Sequence, residues 1–167
     1  MTYSILASDE SEVGVAVQSQ AFNAGAAVAW ARSGAGAIAT QAFTDRRYGY
    51  AGLDLLAAGS SAADALAELL AADAQREIRQ VALLDLAGMI AQHTGAACVP
   101  FAGHAAGQGW AAQGNMLAAE AWHAMGAAFE ATEGTLAGRL MAALEAAEQA
   151  GGDWRGRGGA GIVVVPR

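Results

Sequence analysis

The stretch MTYSILASDESEVGVAVQS, residues 1–19, contains two runs that favour β-strand. In these runs, Thr2–Ala7 and Glu12–Val17, apolar residues either alternate with polar ones or follow one another. Their β-branched residues suit a pleated, buried surface. The polar cluster SDES between them is typical of a hairpin turn. Thr2 directly follows Met1, so removal of Met1 would place a threonine hydroxyl beside its own α-amino group. Such a pair can act as a nucleophile and its base.

The composition predicts one domain over residues 1–167 and excludes intrinsic disorder. Hydrophobic residues make up 54% of the chain and charged residues only 15%, whereas disordered chains are polar and highly charged. The net charge is −7, and all 9 basic residues are arginine. Lysine is therefore excluded as a base or a Schiff-base former, and the acidic balance argues against a nucleic-acid partner.

The hydropathy pattern indicates neither a membrane anchor nor an export signal. No apolar run reaches the roughly 20 residues that cross a bilayer, and no basic segment followed by an apolar block precedes the first strand. We therefore expect a cytoplasmic protein without a membrane partner. The apolar composition favours a homodimer or a higher homo-oligomer.

Beyond the hairpin, groups of strands alternate with pairs of helices. The hydrophobic period predicts strands over 26–31, 36–42, 79–84, 89–93, 110–113 and 162–165, and helices over 49–58, 62–72, 118–131 and 135–150. Residues 94–109 are predicted to form a loop. Strands in runs favour an α+β protein, with two antiparallel sheets that are covered by helix pairs.

Several motifs, in chain order, resemble one known family. They are TYSI, GVAVQS, GAIATQAF followed by YG, RQV, AQHTG with a later AGH, QGNML and AGGDWRGR. From Thr2 to Val165 the chain thus resembles the Ntn-hydrolase-like domain-of-unknown-function family one-zero-two-eight. It departs at Gly158-Gly159, where many relatives carry Gln-Ser, and relatives tend to continue beyond the position of Arg167.

The resemblance implies the fold and the chemistry of N-terminal-nucleophile (Ntn) hydrolases. The expected fold is a four-layer αββα sandwich. In that superfamily an N-terminal Thr, Ser or Cys attacks an amide carbonyl, and its α-amino group acts as the base. For this chain the resemblance makes Thr2 the expected nucleophile.

Two amide side chains join Thr2 as candidate catalytic groups. Gln41 follows a glycine-alanine strand, and its amide can both donate to and accept from an amide substrate. Asn115 follows a predicted strand in the motif QGN and would present its amide where an oxyanion develops. Alternatively, Asn115 caps the helix that follows.

Further polar residues are candidates for substrate binding. They are Ser4 on the face of Thr2, Ser19 at the end of the second strand, and Thr40, Gln113, His93, Asp153 and Arg155. Asp153 and Arg155 would clamp a carboxylate, or form an ion pair that rigidifies their glycine-rich loop. His93 or His104 could act as a general acid or base. The histidines match no metal-ligand spacing, so no metal and no cofactor is expected.

These observations predict an amidohydrolase that acts on C–N bonds other than peptide bonds. The expected substrate is a small polar amide, lactam or ureido compound. Two alternatives remain open, namely a non-catalytic ligand-binding or assembly domain on the same fold, and a histidine- or metal-assisted hydrolase.

Overall fold

The computed structural model describes residues 1–117, 121–153 and 155–167. In chain order, the strands are β1 (Thr2–Ser8), β2 (Glu12–Ser19), β3 (Ala29–Arg32), β4 (Gly36–Ala42), β5 (Arg79–Asp85), β6 (Ile90–Thr94), β7 (Gly103–Gly107), β8 (Trp110–Asn115) and β9 (Gly159–Pro166). The helices are α1 (Ala24–Val28), α2 (Arg47–Ala57), α3 (Ala62–Ala71), α4 (Ala121–Ala131) and α5 (Leu136–Gln149). A short 3-10 turn precedes β5.

The strands of this described part form two antiparallel sheets that pack face to face. The first sheet has the order β7-β8-β1-β2-β9, and the second has the order β3-β4-β5-β6. Helices α4 and α5 cover the outer face of the first sheet, while α2 and α3 cover the second. The predicted four-layer αββα sandwich is confirmed.

The hairpin of β1 and β2 determines which side chains point between the sheets. Successive side chains of a strand point to opposite faces. Leu6 packs in the layer between the sheets with Val15 and Ala39, whereas Tyr3 and Ile5 pack against α4 and α5. Thr2 and Ser4 share the face of Leu6, so their hydroxyl groups point toward the second sheet.

Two predicted segments are wrong. The strand predicted over 26–31 is in fact α1 followed by β3, because Asn23 adopts a left-handed conformation with φ of 62° and starts a helical turn. The loop predicted over 94–109 contains β7, whose sequence GHAAG carries no strand signal. β7 forms because a tight turn, with Gly109 at φ of 74°, folds it onto β8.

Several boundaries also differ from the predictions. The last strand is longer than predicted and begins at Gly159. The predicted helix start at residue 118 lies outside the described residues, within which α4 begins at Ala121. No helix in the described ranges has the length and apolarity needed to cross a bilayer.

Candidate functional site

The candidate site lies at the end of the sandwich where β1 begins. Thr2 is paired with Ser19 on one side and with Asn115 on the other, so these residues form one row across the first sheet. The Thr2 hydroxyl donates to Ser19 Oγ at 3.0 Å, and the Ser19 hydroxyl donates to the Met1 carbonyl oxygen at 2.8 Å. A chain of hydroxyl groups therefore runs from Thr2 Oγ1 to the peptide bond that precedes Thr2.

The glycine-rich loop before β9 brings a second donor to the same carbonyl. Arg155 Nη2 donates to the Met1 oxygen at 3.2 Å. Arg155 is held by Asp153, which accepts from its Nε and Nη2 atoms at 3.1 and 3.0 Å. Burial alone would raise the pKa of Asp153, but the hydrogen bonds from Arg155 outweigh it and lower the pKa. The predicted Asp153–Arg155 ion pair thus exists, and its guanidinium group faces the chain terminus.

The terminal amine of Met1 is partly sheltered from water. It lies 3.4 Å from Met116 Sδ, and Met1 as a whole is 6% exposed. Burial, and then the charge of Arg155, lowers the pKa of this amine below its ordinary value, while Asp153 opposes the shift. An amine at this place is therefore neutral over a wider pH range than an exposed one.

A buried network of amides lies beside Thr2, between the two sheets, with Gln80 of β5 at its centre. Gln41 Nε2 and Asn115 Nδ2 donate to Gln80 Oε1 at 2.8 and 3.1 Å. Gln80 Nε2 is within hydrogen-bond distance of the Gly103 and Gly114 carbonyl oxygens, to which it donates at 3.0 and 2.9 Å. Gln80 therefore joins the second sheet to two strands of the first.

Ser4 and Gln113 extend the network along β1 and β8. Ser4 Oγ donates to Gln41 Oε1 at 2.8 Å and accepts from Gln113 Nε2 at 3.4 Å. Gln41 Nε2 also reaches the Thr2 carbonyl at 3.3 Å. Gln113 Oε1 is buried and has no hydrogen-bond partner among the described residues. The structure thus brings Thr2, Ser4, Gln41 and Gln113 together.

Two of the predicted site residues point away from Thr2. Thr40 lies on the opposite face of β4 from Gln41, and its hydroxyl donates to the Asp45 carbonyl at 3.3 Å. His93 is paired with Val81 on the outer face of the second sheet, and its Nε2 donates to the Arg76 carbonyl at 2.8 Å. The structure therefore does not bring Thr40 and His93 into this site.

Two residues that sequence reasoning did not select complete the site. Gln80 is fully buried at the centre of the network. The sequence signal for it was the spacing of two from Ala82 and Leu84, which places Gln80 on the inward face of its strand. Thr94 receives a hydrogen bond from Gln80 Nε2 at 3.1 Å, and its Oγ1 lies 2.9 Å from His104 Nδ1. His104, rather than His93, is thus connected to the network. Within the described ranges, no three metal-ligating side chains lie together.

A comparison with protein-family profiles identifies the family. A profile described as "Family of unknown function (DUF1028)" matches residues 2–167. The chain belongs to DUF1028. The resemblance predicted from the motifs is confirmed. A search of curated proteins found no match for this DUF1028 chain.

Two solved structures are similar to this DUF1028 chain. Protein SPO2555 from Silicibacter pomeroyi, assigned to the same family, is 34% identical with a TM-score of 0.91, over 98% of this chain and 75% of that chain. BPH from Thiobacillus denitrificans, solved in complex with epoxomicin, is 13% identical with a TM-score of 0.53, over 98% of each chain. BPH has a proteasome-like Ntn-hydrolase fold, and at 13% identity the likeness concerns the fold alone.

Proposed function

We propose that this DUF1028 protein is an amidohydrolase of the N-terminal-nucleophile type, which becomes active when removal of Met1 frees the α-amine of Thr2. The observation that carries the proposal is the hydrogen bond between the Thr2 and Ser19 hydroxyls, 3.0 Å long, at one end of an Ntn-type sandwich. Fold alone does not determine activity, so the proposal rests on these side chains.

Ser19 suits the role of proton relay in the processed chain. Its hydroxyl donates to the Met1 carbonyl oxygen. That carbonyl forms the peptide bond with Thr2 N. Without Met1, this hydroxyl lies beside the free α-amine. The Thr2 Oγ1 proton then passes through Ser19 to that amine, and Thr2 Oγ1 attacks the substrate carbonyl carbon.

The remaining steps complete the hydrolysis. The tetrahedral intermediate collapses when the protonated α-amine gives its proton to the leaving nitrogen, so the C–N bond breaks and an ester to Thr2 remains. Water then attacks this ester, with the α-amine again as base, and releases the acid. Charge on the developing oxyanion is stabilised by nearby donors, for which Arg155 and Asn115 are the candidates.

The substrate class follows from the neutral character of the amide network. Gln41, Gln113 and Asn115 offer donors and acceptors of the kind that pair with another amide. We therefore propose a small polar amide, lactam or ureido compound, cleaved at a C–N bond other than a peptide bond. The homo-oligomeric state and the cytoplasmic location stay predictions from the sequence.

The test compares threonine variants in protein whose terminus is defined by intact mass. We expect protein without Met1 to hydrolyse members of a panel of simple amides, lactams and ureido compounds, and a β-lactone to add its mass to residue 2. Thr2→Ala should abolish both, and Thr2→Ser should keep both. Thr132→Ala serves as the matched control, because the Thr132 hydroxyl donates within its own helix region, to the Ala128 carbonyl at 2.7 Å. Full turnover by Thr2→Ala, or by protein that retains Met1, would contradict the proposal.

One observation favours a second candidate function, a ligand-binding domain without catalysis. Gln41 and Asn115 already donate to Gln80, so part of the hydrogen-bonding capacity near Thr2 is occupied by the protein itself. In that case, compounds from the panel of amides, lactams and ureido compounds would raise the midpoint temperature of thermal unfolding. No product would form from them, even in protein without Met1.

A further inference from the structure

A second cleft lies on the opposite face of β1 and β2 from Thr2, under α5. Its volume is about 400 Å³, which is within the range of small-molecule sites. Its lining includes Tyr3, Gln18, Met141, Leu144, Glu148 and Arg157. None of these residues takes part in the proposed hydrolysis, so the inference below does not rest on the proposed function.

The side-chain amide of Gln18 lines this cleft and is buried. Gln18 is 6% exposed, and neither its Oε1 nor its Nε2 atom is bonded to any of the described residues. Buried side-chain amides in folded proteins nearly always have a partner, because leaving one unpaired costs free energy. Since none of the described residues pairs with it, the Gln18 amide offers an unused donor and acceptor to a ligand.

Two charged groups of the cleft, Glu148 and Arg157, are in contrast already paired with each other. The Tyr3 hydroxyl donates to Glu148 Oε2 at 2.7 Å, and Arg157 Nε donates to Glu148 Oε1 at 2.8 Å. The hydrogen bond from Arg157, and then that from Tyr3, holds the pKa of Glu148 below its ordinary value. With Glu145 also in the lining, the cleft carries more acidic than basic groups and disfavours an anion.

We propose that this cleft binds a small neutral molecule through a carboxamide or ureido group, which pairs with the side-chain amide of Gln18. An amide presents one acceptor oxygen and N–H donors, so it satisfies the Gln18 donor and acceptor together. Leu144 and the half-exposed Met141 provide apolar contact for the rest of the molecule. Met141 is unbranched and flexible, so its side chain can move aside and let the ligand reach the buried amide.

The test uses benzamide as the probe, with benzoate and N,N-dimethylbenzamide as controls. Dimethylation removes both N–H donors, and benzoate carries a charge, so each should bind at least about tenfold more weakly than benzamide. Binding is followed by NMR titration, with signals of Leu144 and the Met141 methyl group as reporters of the cleft. Equal affinity for benzamide and dimethylbenzamide, or no saturable benzamide binding at these reporters, would overturn the proposal.

Gln18→Met tests the same proposal from the protein side. Methionine matches the length of glutamine but has no amide, so benzamide affinity should fall at least about tenfold. Without ligand, the variant should unfold at a higher temperature than the unmodified chain, since a buried unpaired amide has been removed. Gln108→Met is the matched control, because Gln108 is exposed in the turn between β7 and β8. A lower unfolding temperature for Gln18→Met would show that the amide has a structural partner and would overturn the inference.

Discussion

Replacing Gln80 with leucine should destabilise the protein by about 3 kcal/mol, because it leaves two buried amides without their acceptor. Gln41 Nε2 and Asn115 Nδ2 both donate to Gln80 Oε1, and both residues are almost fully buried. Gln41 keeps a contact with the Thr2 carbonyl at 3.3 Å, which limits the loss at that residue. A net stability of about 5–15 kcal/mol is usual for a domain, so the effect is readily measurable.

Gln92→Leu is the matched control for this prediction. Gln92 also lies in the layer between the sheets, but it is only half-buried and makes one bond to the first sheet, from Nε2 to the Ala112 carbonyl at 3.1 Å. Its replacement should cost about 1 kcal/mol. Urea unfolding of both variants gives the free energies, and unchanged slopes against urea concentration confirm that they are comparable. Equal losses for Gln80→Leu and Gln92→Leu would refute the central role assigned to Gln80.

Three further predictions concern acid stability, packing and the proton relay. The hydrogen bond from Arg79 lowers the pKa of Asp73 from 3.8 to about 2. Ionised Asp73 therefore adds about 2 kcal/mol to the free energy of unfolding at neutral pH. This contribution is lost as the pH falls from about 4 to about 2. Urea unfolding across that range should show a weaker pH dependence for Asp73→Asn, and an unchanged dependence would contradict the assignment. Gly126→Ala in α4 should cost about 1–3 kcal/mol because a Cβ there overlaps the Trp110 ring. Gly138→Ala in α5, where the nearest atom is Thr135 Oγ1 at 3.3 Å and only a small shift is needed, should cost clearly less than Gly126→Ala. In protein without Met1, Ser19→Ala should lower kcat about 100-fold with little change in KM, whereas Ser33→Ala in an exposed turn should change neither.

Much of the fold could be predicted because the local signals agree with the tertiary structure. Strand β4 occupies Gly36–Ala42 as predicted, since turn residues stop it at one end. Helix α3 begins after Ser61, whose side chain accepts from the Asp64 N–H, as the sequence signal at Ser61 and Asp64 indicated. β7 could not be predicted, because its alanines and glycines have low strand propensity, and the strand forms only through its hydrogen bonds with β8.

The candidate site was less predictable, for a reason visible in β4. Thr40 and Gln41 are both fully buried, because one faces the helices and the other faces the opposite sheet. A strand that is buried on both faces shows no alternation of polar and apolar residues. Both residues are therefore site candidates from the sequence, although only Gln41 contacts Thr2. Ser4 was easier to place, because the spacing of two from Thr2 fixes a common face.

The sheltered amine at the chain terminus has a practical consequence for chemical labelling. Because the 167 residues include no lysine, the α-amine is the only aliphatic primary amine of the chain. An amine-reactive dye can thus attach at a single position, whether that position is Met1 or, after processing, Thr2. Since burial and Arg155 lower the pKa of the Met1 amine, a larger fraction of this amine is in the reactive neutral form at a given pH than in an ordinary terminus. In protein without Met1, the rate of dye attachment against pH would titrate the proposed catalytic base, the α-amine of Thr2, without a substrate.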